Sequence, residues 1–212
     1  MCGASGEGKT HLLSQLITQT YSGCFEAIYL WSPSANLDPG YDAIRAYVEK
    51  KLDPDEEWIF DHYDPDDLKN VIDNQAQIIK LMKEKKKKRF YSICIIVDDF
   101  SDSPDFTRNS KQLWSLFARG RHLYISTYVL SQRWRSLAPI IRLNASVVYL
   151  HRVRNSKDYE AIGEELAGER GKDALISAYK MALNDRQYSF FKIDLMTEPK
   201  YRWQIRMDER YI

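Results

Sequence analysis

Eight residues near the amino terminus constrain this chain more than any other segment. Gly3-Ala4-Ser5-Gly6-Glu7-Gly8-Lys9-Thr10 matches G-x-x-x-x-G-K-[ST] at every fixed position. In that pattern the glycines let backbone N–H groups turn inward around phosphate oxygens, and the following helix adds its positive N-terminal end. Lys9 would place its charge between the β- and γ-phosphates, and the Thr10 hydroxyl would ligate Mg2+. Leu12, Leu13, Leu16 and Ile17 then recur on one helical face, as the helix after such a loop requires. All eight loop residues are candidate nucleotide-binding residues.

The rest of the 212 residues alternates strand and helix patterns. Strands are expected at 25–31, 91–97, 123–130 and 146–150, with 187–195 and 201–207 as a final pair suited to an edge hairpin. Trp58-Ile59-Phe60 is a further short apolar run. Helices are expected at 41–52, from Pro65 to about 84 with Asp64 as N-cap, up to about 117, at 136–142, and twice across 157–183 with a break at Gly168. The run Tyr91-Ser92-Ile93-Cys94-Ile95-Ile96-Val97 is almost continuously apolar, the mark of a strand covered on both faces in a parallel sheet. Strands alternating with helices, without a repeat or long linker, imply one α/β domain over 1–212.

That apolar strand ends in Asp98-Asp99. Beside a phosphate loop, Asp98 would support the Mg2+ shell, and Asp99 would orient or deprotonate the attacking water. The bland alternative is an acidic pair capping a strand at a turn. Ser131-Gln132 closes the next strand, where Gln132 would sense a γ-phosphate or position water; otherwise it is a solvated loop residue. Arg119-Gly120-Arg121-His122 precedes the same strand. One of these arginines would serve as a finger to a neighbouring subunit, or both would simply complement a helix C-terminus. The basic run 83–89 fits a solvated helix end better than a nucleic-acid platform, because no aromatics interleave with it.

Composition narrows the classes. Lys plus Arg number 31 against 30 Asp plus Glu, so the chain is not a basic nucleic-acid coat as a whole. At 44% hydrophobic and 29% charged residues it is a globular sequence, not a disordered one. Cys2, Cys24 and Cys94 are odd in number and lack metal spacing, which argues against a disulfide framework or a zinc site. His11, His62, His122 and His151 show no metal spacing either and are not assigned to catalysis. The polar start does not read as a signal peptide, and no apolar run approaches a membrane span. A soluble intracellular protein is expected.

Taken in order, the phosphate loop, the strand ending in Asp98-Asp99, Arg121-His122, Ser131-Gln132 and Ile141-Arg142-Leu143-Asn144 resemble the FtsK–HerA superfamily. The nearest likeness is to the DNA-packaging ATPases of large DNA viruses and virophages, the poxvirus type, over residues 3–195. The resemblance implies a P-loop NTPase with a RecA-like, mostly parallel sheet flanked by helices and an added strand at 25–31. It implies ATP and Mg2+ as cofactors and hydrolysis coupled to translocation of double-stranded DNA. A homo-oligomeric ring and capsid or portal-region proteins would be its partners, and the host cytoplasm, a viral factory or the virion its location.

By position the resemblance gives Lys9 and Thr10 to ATP–Mg2+, Asp98 to the metal and Asp99 to water activation. Gln132 becomes the sensor and Arg121 the finger, with Arg119 in reserve; Arg142 matches a basic position. One departure stands out. The family has a strand immediately before the phosphate loop, whereas Met1-Cys2 alone precede Gly3 here. Either another segment fills its place, or the strand is lost, which would leave a hole in the sheet and a loosened loop. The alternatives are a nucleotide-binding scaffold without hydrolysis and a conjugation- or secretion-type coupling ATPase. A kinase or GTPase fits less well, since a guanine-reading NKxD is absent.

Overall fold

The computed structural model describes residues 1–50, 56–100 and 103–207. Residues 51–52 of the expected 41–52 helix and two residues of the loop after Asp99 lie outside them. The chain divides into two compact units, one of Met1–Lys9 with Leu130–Ile212 and one of Thr10–Val129.

The 10–129 unit is built on a parallel sheet. Helix α1 (Lys9–Gln15) leads into a π-helical turn (Leu16–Thr20), and Leu12, Leu13, Leu16 and Ile17 are all buried, as their spacing predicts. Strand β1 (Ala27–Trp31), helix α2 (Asp42–Val48), the two-residue strand β2 (Ile59–Phe60) and helix α3 (Pro65–Glu84) follow. Then come β3 (Ile93–Val97), α4 (Pro104–Thr107), α5 (Lys111–Arg119) and β4 (Ile125–Val129). The sheet order is β2-β1-β3-β4 with every pairing parallel. All five β3 residues are buried, the expected consequence of a central strand covered on both faces.

Local chemistry sets the helix ends. The Asp64 carboxylate accepts from Asp66 N at 2.8 Å, with Pro65 in the first turn and Asp66 and Asp67 facing the positive end of α3. Ser110 caps α5 by accepting from Leu113 N at 3.1 Å. The Gln75 amide, buried on α3, donates to the carbonyls of Tyr91 and Leu123, each at 2.8 Å. It thereby ties the helix to the chain entering β3 and β4. The 83–89 run is exposed, and Arg89 pairs with Glu26 at 3.1 Å.

The other unit holds helix α6 (Pro139–Leu143), strand β5 (Val147–Leu150), helices α7 (Ser156–Leu166) and α8 (Lys172–Leu183), and strands β6 (Phe191–Asp194) and β7 (Trp203–Ile205). The expected break at Gly168 separates α7 from α8. Here the strands depart from expectation. The C-terminal pair is antiparallel, but β5 joins it in a separate sheet of order β5-β6-β7 and pairs antiparallel with β6. The β6 residues alternate buried and half-buried, which suits an antiparallel sheet with one wetter face. Leu150, Ile162, Leu175, Tyr179, Phe191 and Trp203 build the core of this unit.

Cys2 occupies the place of the strand expected before the loop. It forms parallel bridges to both Ser131 and Leu150. Cys2 N donates to Tyr149 O and His151 N to Cys2 O, both at 2.8 Å, while Gly3 N donates to Ser131 O at 3.1 Å. The root of the loop is therefore held on two sides by backbone hydrogen bonds.

Candidate functional site

The phosphate loop is shaped by close approaches. A Cβ on Gly3 would lie 2.5 Å from the His151 Cβ, so a side chain there would displace the neighbouring segment. Gly8 has φ +90°, and a Cβ on it would lie 3.3 Å from the Tyr188 Cβ, a backbone position where only glycine is unstrained. Lys9 is 8% exposed. Its ammonium donates to Gly3 O at 2.8 Å and Ala4 O at 3.0 Å, which satisfies a buried charge with loop carbonyls.

His151 supports this loop, a role its spacing in the sequence did not reveal. It is 1% exposed, and Nδ1 lies 2.7 Å from Glu7 O. The carbonyl can only accept, so Nδ1 carries the proton. Burial depresses the imidazole pKa to about 4, with Lys9 and Arg206 adding to the effect. The ring is thus neutral at pH 7. Gln132 follows Ser131, whose N donates to Met1 O and whose O accepts from Gly3 N; the sensor candidate stands at the root of the loop.

The 10–129 unit carries the metal and base candidates. Asp98 follows the last residue of β3 and is 6% exposed. Asp99 has φ 61°, the left-handed region that Asp and Asn tolerate best among side chains with a Cβ. That turn gives two consecutive carboxylates different environments: Asp98 is buried and Asp99 half-buried. A 3-10 turn, Pro39–Tyr41, meets both metal candidates. A Cβ on Gly40 would lie 3.0 Å from the Thr10 methyl, and the Tyr41 hydroxyl donates to Asp98 Oδ2. Burial, and then the Asp98 charge, keep this phenol protonated by raising its pKa.

The arginines are elsewhere. Arg119 ends α5 and Arg121 lies in the following 3-10 turn (Gly120–Leu123); both are exposed. That turn leads into β4, at the end of the sheet away from Asp98. Arg142 is half-buried in a cluster of its own: it pairs with Glu165, which also accepts from Trp134 Nε1 at 2.9 Å. Its guanidinium lies 5.8 Å from the Trp134 ring centroid, so this basic position serves packing in the 130–212 segment. Among the described residues, no helix is long and apolar enough to cross a membrane.

Comparisons with known proteins agree with this architecture. No curated protein sequence matches the chain. Among solved structures, the genome packaging NTPase B204 from Sulfolobus turreted icosahedral virus 2, in complex with AMP, is similar at 14% identity and TM-score 0.62, over 92% of this chain and 90% of that one. The same NTPase in complex with ATP-gammaS gives 13% and 0.60, over 92% and 89%. The cytoplasmic domain of the Thermomonospora curvata type VII secretion ATPase EccC gives 12% and 0.55, over 93% of this chain and 24% of that one. At such identities the likeness establishes the fold, that of a mixed α/β P-loop ATPase. A family model described as Poxvirus A32 protein matches residues 1–194. With the phosphate loop, both strand-end carboxylates and Gln132 inside that match, the chain belongs to the Poxvirus A32 protein family.

Proposed function

We propose that this chain hydrolyses ATP to drive a viral double-stranded DNA genome into its capsid, and that residues 1–212 work as one P-loop ATPase domain. The observation that carries the reading is that Thr10 and Asp98 both lie against the turn at 39–41. A hydroxyl and a carboxylate are the oxygen donors Mg2+ takes beside nucleotide phosphates, so these residues fit the group. Thr10 and Asp98 would hold Mg2+, which would supply positive charge to offset the negative charge that develops on the phosphates.

The remaining chemistry falls to the chain itself. Backbone N–H groups of 3–10 receive the phosphates, and Lys9 exchanges its carbonyl partners for phosphate oxygens. Asp99 accepts the proton of the attacking water. Gln132 reports the γ-phosphate, and Arg121 reaches the site of the next copy in a homo-oligomeric ring. Family membership and the likeness to nucleotide-bound packaging NTPases support this assignment, with capsid or portal-region proteins as the docking partners.

The test is ATP hydrolysis by the purified chain with and without double-stranded DNA, beside Lys9→Ala. Hydrolysis should rise with DNA and fall by on the order of 10²-fold or more in the variant. Equal rates in the two proteins would sink the reading.

A further inference from the structure

The segment 38–41 belongs to no motif, yet it contacts both residues assigned to the metal. It is a small, closed device. Asp38 caps the 3-10 turn by accepting from Gly40 N at 2.8 Å. Gly40 is exposed, but its Cα faces a crowded side: a Cβ there would meet the Thr10 methyl and Asp38 Oδ1, each at 3.0 Å. Tyr41 is 1% exposed, and its hydroxyl donates to Asp98 Oδ2. The turn therefore has one residue against the hydroxyl-bearing side chain of α1 and the next against the carboxylate at the end of β3.

A buried tyrosine hydroxyl needs an acceptor, and backbone carbonyls commonly serve. Here the acceptor is the carboxylate at the end of the central strand. A hydrogen bond to one carboxylate oxygen fixes the rotation of the group about its last torsion, which is otherwise broad. Ligating carboxylates are usually oriented by such outer partners, whose loss weakens metal affinity about 10–100-fold.

We propose that Tyr41 is a positioning residue of the Mg2+–nucleotide site: its hydroxyl sets the Asp98 carboxylate, and the turn that carries it sets the spacing from Asp98 to Thr10 through Gly40. This rests on the assignment of Thr10 and Asp98 to Mg2+ made above. Tyr41 acts through Asp98 and touches no reacting atom. Gly40 is the spacer, because a methyl in its place would push the turn off Thr10.

Mn2+ is the probe, titrated into the full chain with saturating ATPγS and followed by the electron paramagnetic resonance of free Mn2+. Tyr41→Phe keeps the ring and removes one oxygen. Its Mn2+ dissociation constant should rise at least 10-fold, while ATPγS affinity measured in EDTA stays at the wild-type value. Gly40→Ala, whose added methyl faces Thr10 and Asp38, should raise the same constant without removing any buried group; it also decides the matter should Tyr41→Phe fail to fold. Unchanged Mn2+ affinity in Gly40→Ala and in a folded Tyr41→Phe, whatever their melting temperatures, overturns the proposal while the metal assignment survives. Wild-type protein that binds ATPγS but no Mn2+ overturns both.

Discussion

Arg121 and Asp98 stand at opposite ends of the β3–β4 pair. Arg121 precedes β4 and Asp98 follows β3, with five paired residues between those ends. That is about 16 Å of strand, beyond the reach of an arginine side chain. A finger role therefore requires a second copy of the chain. In assembled protein, Arg121→Ala should lower hydrolysis by roughly 10³-fold or more and leave nucleotide binding in place. Mixing Arg121→Ala with Asp99→Asn subunits should restore activity, because the second variant lends its arginine to an intact Asp99. A mixture as inactive as its parts would rule Arg121 out and leave Arg119 to be examined.

The left-handed backbone at Asp99 makes Asn its best replacement, since Asn tolerates the same region. Asp99→Asn should keep ATPγS affinity within a few-fold. Hydrolysis should fall by about 10²–10⁴-fold, the usual worth of a positioned base. A parallel loss of affinity and rate would show that Asp99 holds nucleotide, not water.

His151 makes stability depend on pH. Its folded pKa, about 4, lies below the ordinary 6.5, so between those values the unfolded chain binds the extra proton. Stability contributed by the neutral ring is complete above pH 6.5 and is lost as pH falls toward 4, by about 3 kcal/mol at most. His151→Asn retains a donor near Nδ1 without the titration. Denaturant midpoints measured from pH 7.5 to 4.5 should fall more steeply for wild type than for this variant. Parallel slopes would mean that the ring is not buried as described.

Arg142 tests the difference between a site residue and a packing residue. Its side chain is 10% exposed and paired with Glu165. Glu165→Ala leaves that half-buried charge and Trp134 Nε1 without their carboxylate, at a cost of about 1–3 kcal/mol. Urea unfolding should register the loss, with hydrolysis well below the melting temperature near wild type. Lost hydrolysis with unchanged stability would mean that the pair acts in the active site and not in packing.

The chemistry that lies along the chain was the readable part. Gly3 through Thr10 form a contiguous pattern, and Asp98-Asp99 ends the most apolar strand, so periodicity and spacing placed them. The strand at β5 was read but its antiparallel partner was not, because direction depends on which segment a strand meets, and Val147–Leu150 meets β6 more than forty residues later in sequence. Tyr41 and His151 were missed for a related reason. A tyrosine in a helix pattern and a lone histidine carry no local signal; their roles come from contacts with Asp98 and Glu7 across long stretches of chain. Arg142 matched a basic position by resemblance alone, because its partner Glu165 lies more than twenty residues away and gave no local signal.

The complete burial of β3, with a parallel neighbour on each side, has a consequence for hydrogen exchange. Amides of 93–97 have no route to solvent short of opening the whole sheet, so they should exchange only at the rate of global unfolding of that unit. Asp98 is attached directly to that strand. The carboxylates thus sit on the slowest-exchanging part of the unit, and local breathing elsewhere leaves their position unchanged.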